Sequence, residues 1–189
     1  MMIALQAEGH SLGLHGLTHA AATKLMDRIG EKGYLEQEIR PQIDAVRKAR
    51  LDVCNWAYPM SARSDRTDAA LGSCFRRLRT GCVWRKEIKD HPLSSYDEVF
   101  LPLATAEARK LIPSAAFPSA FPEWKSDVIG ALERVRERNE LVCIYAHDIR
   151  DAAKASSNDI TVGQLEFVLS AAAKLGVSAM GFDELQMGK

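Results

Sequence analysis

Leu141-Val142-Cys143-Ile144-Tyr145-Ala146 is an unbroken apolar run, and His147-Asp148 follows it at once. Such a run suits a strand covered on both faces, as in a parallel sheet packed between helices. Upstream, Trp124, Val128, Leu132 and Val135 recur at helical spacing. Pro122 stands where it can open that helix. Downstream, Thr161 and Gln164 fit a capping box, with Ile160 and Leu165 as the hydrophobic staple beside it. The helix they start runs over about 162–175, with Leu165, Val168, Leu169 and Ala172 toward the core, and Gly176 is placed to end it. Helix, buried strand and helix in succession make an α/β unit.

The same alternation recurs along the chain. Val53-Cys54-Asn55-Trp56-Ala57-Tyr58 reads as a strand ended by Pro59, Ser178-Ala179-Met180 as a short strand, and Cys82-Val83-Trp84 as a weaker one. Leu35, Ile39, Ile43 and Val46 mark a helix. Pro41 should kink it or start a new one, because proline removes a backbone donor. The cluster Glu133-Arg134-Val135-Arg136-Glu137-Arg138 pairs opposite charges at i,i+3 and reads as a solvated helix face. Residues 85–123 hold five of the seven prolines and read as a long irregular insertion with at most one short helix near 104–111, of the kind that borders a site. The pattern predicts an α/β fold with a mainly parallel sheet.

Composition narrows the function. The chain has 189 residues, 47% hydrophobic and 26% charged, enough for one domain with a real core. Twenty-five Lys and Arg balance 25 Asp and Glu, and the pI is near 7.0. A nucleic-acid partner is not expected, since it needs a basic excess. A membrane span is not expected either, because no apolar run approaches ~20 residues. Met1-Met2-Ile3-Ala4-Leu5-Gln6 turns polar too quickly for a signal peptide. The four cysteines form no C-x-x-C, and Cys54 and Cys143 read as buried reduced thiols. Localisation is not fixed by the sequence; lack of disulfide patterning leans toward the cytoplasm.

Chemistry concentrates in the histidines at 10, 15, 19, 91 and 147. His15 and His19 are four apart, and on a helical turn that spacing puts both imidazoles on one face. Two neutral imidazoles there could hold one Zn²⁺ or a similar ion at ~2.0–2.1 Å. Gly16 after His15 excludes the metalloprotease pattern, which needs a glutamate there. His10 reads as structural. His147 ends an apolar strand, where barrel enzymes place catalytic groups, and an unperturbed imidazole exchanges protons near neutral pH.

Gly9-His10-Ser11-Leu12-Gly13-Leu14-His15-Gly16-Leu17-Thr18-His19 closely resembles the second motif of the polysaccharide deacetylases, the NodB-homology domains of carbohydrate esterase family 4. That motif runs G-H-E-(I/L)-G-x-H-(S/T/G)-x-(S/T)-H. Trp56-Ala57-Tyr58-Pro59-Met60, with Asp65 and Thr67 after it, resembles the third motif. Ile144-Tyr145-Ala146-His147-Asp148 resembles the late strand ending in His-Asp. Residues 176–185 resemble the family's last strand and terminal helix. The motifs keep the family order, and the resemblance covers about residues 2–186 of a single deacetylase-like domain.

The resemblance implies a distorted (β/α) barrel and a hydrolase that removes acetyl groups from N-acetylated sugars. It implies a divalent metal, zinc first, with His15 and His19 as two of its ligands. His147 would be the general acid that protonates the leaving amine. The Met60 backbone N–H would help hold the oxyanion, and Trp56, Tyr58 and Pro59 would line the substrate site. The family's T-F-D-D-G motif, which carries the third ligand and the catalytic base, has no counterpart in the fourteen residues before His15. Ala57 stands where many members carry an arginine, and Gly16 where Ser or Thr is usual. The expectation is a barrel incomplete at its N-terminal end, a weak or inactive catalyst, and association between copies along an unpaired strand edge. The alternative is a non-catalytic remnant that binds sugar or a partner protein through the same cleft.

Overall fold

The computed structural model describes residues 2–83, 91–119, 121–151 and 159–185. The chain forms two compact units. The first comprises Met1–Thr80, Ala108–Ile112 and Gly181–Lys189, and the second Gly81–Glu107 and Pro113–Met180.

In the first unit the order is α1 (Met2–Ala7), β1 (Gly13–Leu14), α2 (Ala22–Tyr34), one π-turn (Leu35–Ile39), α3 (Arg40–Lys48), β2 (Asn55–Ala57), α4 (Asp65–Gly72) and the start of β3 (Arg77–Val83). β1 pairs with β2 in parallel, Leu14 opposite Trp56. β2 pairs with β3 in parallel, Trp56 opposite Leu78. The core gathers Met26, Tyr34, Ile39, Trp56, Leu71 and Leu78.

Pro41 has the effect its chemistry requires. It sits in the first turn of α3, and just ahead of it the Arg40 N–H reaches back five residues to Leu35 O. The wider turn relieves the pressure of the proline ring on the carbonyl four residues earlier. α4 opens on a capping box of Ser64 and Thr67, which satisfies two of the helix's orphan donors.

The second unit holds β4 (Phe100–Pro102), α5 (Leu103–Ala106), most of β5 (Leu111–Ala116), α6 (Trp124–Arg138), β6 (Glu140–Val142), β7 (Ile144–Tyr145), β8 (Ile149–Arg150), β9 (Ile160–Thr161) and α7 (Val162–Leu175). β4 and β6 are antiparallel, whereas β5 with β7 and β8 with β9 are parallel. Along the chain one sheet runs in the order β1-β2-β3-β5-β7, so the fold is mixed α/β with a five-stranded sheet whose described registers are parallel. The capping box of Thr161 with Gln164 starts α7, and Gly176, at φ 69°, ends it. Among the described residues, no helix is long and apolar enough to cross a membrane.

Several expectations are corrected. The apolar run 141–146 is not one covered strand. It breaks at Cys143 into β6 and β7, which belong to different sheets, and its residues are half-buried or exposed. The irregular stretch contains β5, five of whose six residues are buried. Pro113 and Ser114 hide that strand in the sequence. Yet Ala115 and Phe117 donate to Cys143 O and Tyr145 O, and Pro113 precedes that pairing, so its missing N–H removes no bond to β7. The expected helix near 104–111 is α5, one turn only. Residues 177–180 form no strand; Ser178, Ala179 and Met180 are exposed. Leu169 is half exposed rather than in the core. Cys54 and Cys143 are free thiols, as expected, but only half-buried. Part of the expected strand at Cys82–Trp84 lies in β3; Trp84 lies outside the described residues.

Glu133, Arg136, Glu137 and Arg138 form a solvated helix face as expected, but Arg134 does not belong to it. Its side chain is 8% exposed. It donates to Glu140 and to Ser94 O, pairs with Asp97 at 2.7 Å, and lies 3.9 Å over the Phe100 ring. It ties α6 to β6 and to the turn at 93–97.

Candidate metal-binding site

His15 follows β1 directly, and Tyr58-Pro59-Met60 follows the parallel β2, so both segments leave the carboxyl ends of paired strands in the first unit. The histidines do not lie on a helical turn. They sit on a loop that precedes α2. Their convergence comes from backbone geometry: Gly16 has φ 92° and His19 φ 55°, both left-handed. The two rings meet edge to face with centroids 4.9 Å apart. Two imidazoles on one tetrahedral zinc, each nitrogen at ~2.0–2.1 Å, place their centroids about 5 Å apart. Both histidines are exposed, so an ion can reach them.

His15 is oriented further. Its Nδ1 lies 2.9 Å from Ala57 O. A carbonyl only accepts, so Nδ1 carries a proton, and in the neutral ring the lone pair is then on Nε2. A backbone carbonyl on the far nitrogen is a common way to fix a metal-binding tautomer. The contact also joins the loop after β1 to the end of β2, which ties the second and third sequence motifs together physically.

Glu38, absent from the sequence reading, organises the loop. It lies in the π-turn and is 3% exposed. Its Oε1 accepts from the Thr18 N–H at 2.9 Å and its Oε2 from the Thr18 hydroxyl at 3.0 Å. Beside it, burial first and then the Glu38 charge push the Tyr34 hydroxyl pKa up. The signal for Glu38 was indirect: Pro41 demanded a local unwinding, and Glu38 is the buried one of the two acidic residues inside it.

Gly16 is required by both conformation and space. A Cβ there would fall 2.9 Å from Pro59 Cγ and 3.2 Å from Glu38 Oε1. This accounts for glycine where the resemblance expects Ser or Thr. Gly16→Ala is expected to cost about 1–3 kcal/mol through the left-handed backbone alone. Urea denaturation checks it, and a variant as stable as the parent contradicts this account of the loop.

Of the expected substrate-lining residues, Trp56 and Tyr58 are each 1% exposed and belong to the core, so neither presents a face to a ligand. Trp56 packs on Phe75 with centroids 5.3 Å apart. Tyr58 donates to Asp68 at 2.7 Å, and burial, then that bond, raises its pKa. Asp68 is also paired with Arg63. Pro59 is buried against Gly16. Met60 is 57% exposed and, like Ser61, has a left-handed φ near 50°, the sort of strained backbone found at functional sites.

Of the residues resembling the terminal motif, 181–185 belong to the first unit. Asp183 accepts from Asn55 Nδ2 at 2.7 Å and from the Cys54 thiol at 3.0 Å, and its N–H donates to Ser11. Burial acts against the Asp183 carboxylate, but bonds from Cys54, Asn55 and Ser11 hold its pKa below the usual range. Burial and Asp183 push the Cys54 thiol up to about 11, so it is protonated at neutral pH and no nucleophile.

In the second unit His147 stands exposed two residues past β7, its ring 5.9 Å from that of Tyr145. β7 ends the sheet order, so the strand before His147 is not central. Asp148 pairs with Arg150 at 3.0 Å and caps the Ile149 N–H. An apolar cavity lies alongside, lined by Phe117, Ile144, Tyr145, Ile160 and Val168.

The donor set fits a divalent ion in part. Two imidazoles have the spacing and one a fixed tautomer, but among the described residues no group of three or more His, Cys, Asp or Glu could hold a metal. The fold and site thus define an α/β protein with an exposed histidine pair at the carboxyl end of a parallel strand. No protein-family model, curated protein or solved structure matches the chain.

Proposed function

We propose that the chain is a metal-dependent hydrolase of the polysaccharide deacetylase type, acting on acetamide groups of N-acetylated sugars. The single observation that carries this reading is the convergence of His15 and His19 at 4.9 Å, with His15 Nδ1 held by Ala57 O. A bound zinc ion would polarise the acetamide carbonyl and activate a water. His15 and His19 would hold the ion through ring nitrogens, and the Ala57 carbonyl keeps His15 from turning away. Met60 presents its backbone N–H to the developing oxyanion. The resemblance gives His147, a residue of the second unit, the part of protonating the leaving nitrogen, which otherwise departs as a poor amide anion.

Two histidines fall short of the usual three protein ligands of catalytic zinc, so turnover by this chain is expected to be weak. That no group of three or more His, Cys, Asp or Glu able to hold a metal occurs among the described residues leaves room for a second reading, a binding protein that holds sugar at the same residues without hydrolysis.

Acetate release from zinc-loaded protein on N-acetylglucosamine oligomers separates the two. Slow release that zinc removal abolishes supports the hydrolase. Oligomer binding with no release supports the second reading, and neither activity contradicts both. Where release is seen, His147→Ala should lower kcat by about 10²-fold with zinc content unchanged. Unchanged turnover removes His147 from the mechanism.

A further inference from the structure

We propose that Glu38 is the positioning residue of the histidine pair: its buried carboxylate holds the 16–18 turn so that both rings converge on one cation, and its charge favours that cation. The inference rests on the metal-binding reading of His15 and His19.

Both Glu38 oxygens face the loop between the two histidines. One accepts from the Thr18 N–H, next to His19 in the chain, and would lie 3.2 Å from a Cβ on Gly16, next to His15. The other accepts from the Thr18 hydroxyl. The loop has two left-handed residues, Gly16 and His19, and such a backbone persists only where its surroundings over-determine it. Glu38 supplies that constraint from one buried point.

Its own position is set from outside the loop. The π-turn ahead of Pro41 carries it, and Gln42 Nε2 closes on the Glu38 carbonyl at 2.6 Å. A buried carboxylate is costly unless its charge is compensated. A divalent cation on the adjacent histidines would be drawn by that charge. Glu38 touches neither ion nor substrate in this account; it acts through the turn and through its field.

The test uses the full chain, with zinc affinity read by chelator competition at one pH and one salt concentration. Ring-proton contacts between His15 and His19 are read by nuclear magnetic resonance in metal-free protein. Glu38→Gln keeps the shape and an acceptor for the Thr18 N–H but removes the charge. It should retain the ring contacts and weaken zinc binding about 10- to 100-fold, the range for partners behind a metal ligand. Glu38→Ala should lose the ring contacts as well. Should that variant fail to fold, Thr18→Val deletes the hydroxyl donor at an exposed residue and is expected to weaken zinc severalfold. Zinc affinity within twofold of the parent in both Glu38→Gln and Thr18→Val overturns the proposal, as do ring contacts that persist in Glu38→Ala. A parent chain that takes up no zinc, with ring contacts that vanish in Glu38→Ala, overturns the metal reading and leaves the positioning of the rings standing.

Discussion

Zinc affinity should fall by more than about 10²-fold in either His15→Ala or His19→Ala. A partner behind a metal ligand is worth roughly 10- to 100-fold, and a ligand itself is worth more. The loss should be nearly complete in each single variant, because one remaining imidazole makes an ordinary weak surface site. His10→Ala is the internal comparison: it carries the same residue type in the same motif, and its zinc affinity should match the parent. Chelator competition measures all three. Folding should be little affected, since both rings are exposed and outside the core. Parent-like zinc affinity in either variant would remove the pair from any metal site.

The second large effect concerns stability. Arg134→Ala is expected to destabilise the protein by about 3–5 kcal/mol, the cost of leaving one partner of a buried ion pair alone. Glu140, whose side chain is 12% exposed, would lose its guanidinium, and Ser94 O its donor. The stacking on Phe100 would go too. Asp97 contributes little to this cost, since it is 84% exposed and rehydrates freely. The double variant Arg134→Met, Glu140→Leu should recover most of the loss, because apolar side chains of similar size replace buried pairs well. Denaturant unfolding gives both numbers, and an Arg134→Ala protein within 1 kcal/mol of the parent would show that the pair is not buried in solution.

How much of this was legible in the sequence depends on the reach of the signals. The α7 caps were legible because Thr161, Gln164 and Gly176 act within one turn of where they stand. The histidine convergence was legible in outcome and wrong in cause: spacing implied a helical turn, whereas left-handed Gly16 and His19 close a loop. β5 was hidden because Pro113 and Ser114 interrupt the apolar pattern, although both precede the register with β7, which begins at Ala115. The run 141–146 was over-read, since unbroken hydrophobicity cannot reveal a change of sheet at Cys143. Arg134 was misread because a mixed charge cluster carries no mark of the one member that turns inward. Glu38 lay twenty residues beyond Thr18, where only the detour before Pro41 brings it back.

The most direct measurement of the central claim is X-ray absorption at the zinc edge of the loaded chain, compared with the His15→Ala, His19→Ala double variant. The account predicts two imidazole nitrogens at ~2.0–2.1 Å in the parent, with the remaining positions filled by oxygen, and their loss in the variant. Zinc held without imidazole, or an identical spectrum from both proteins, would contradict it.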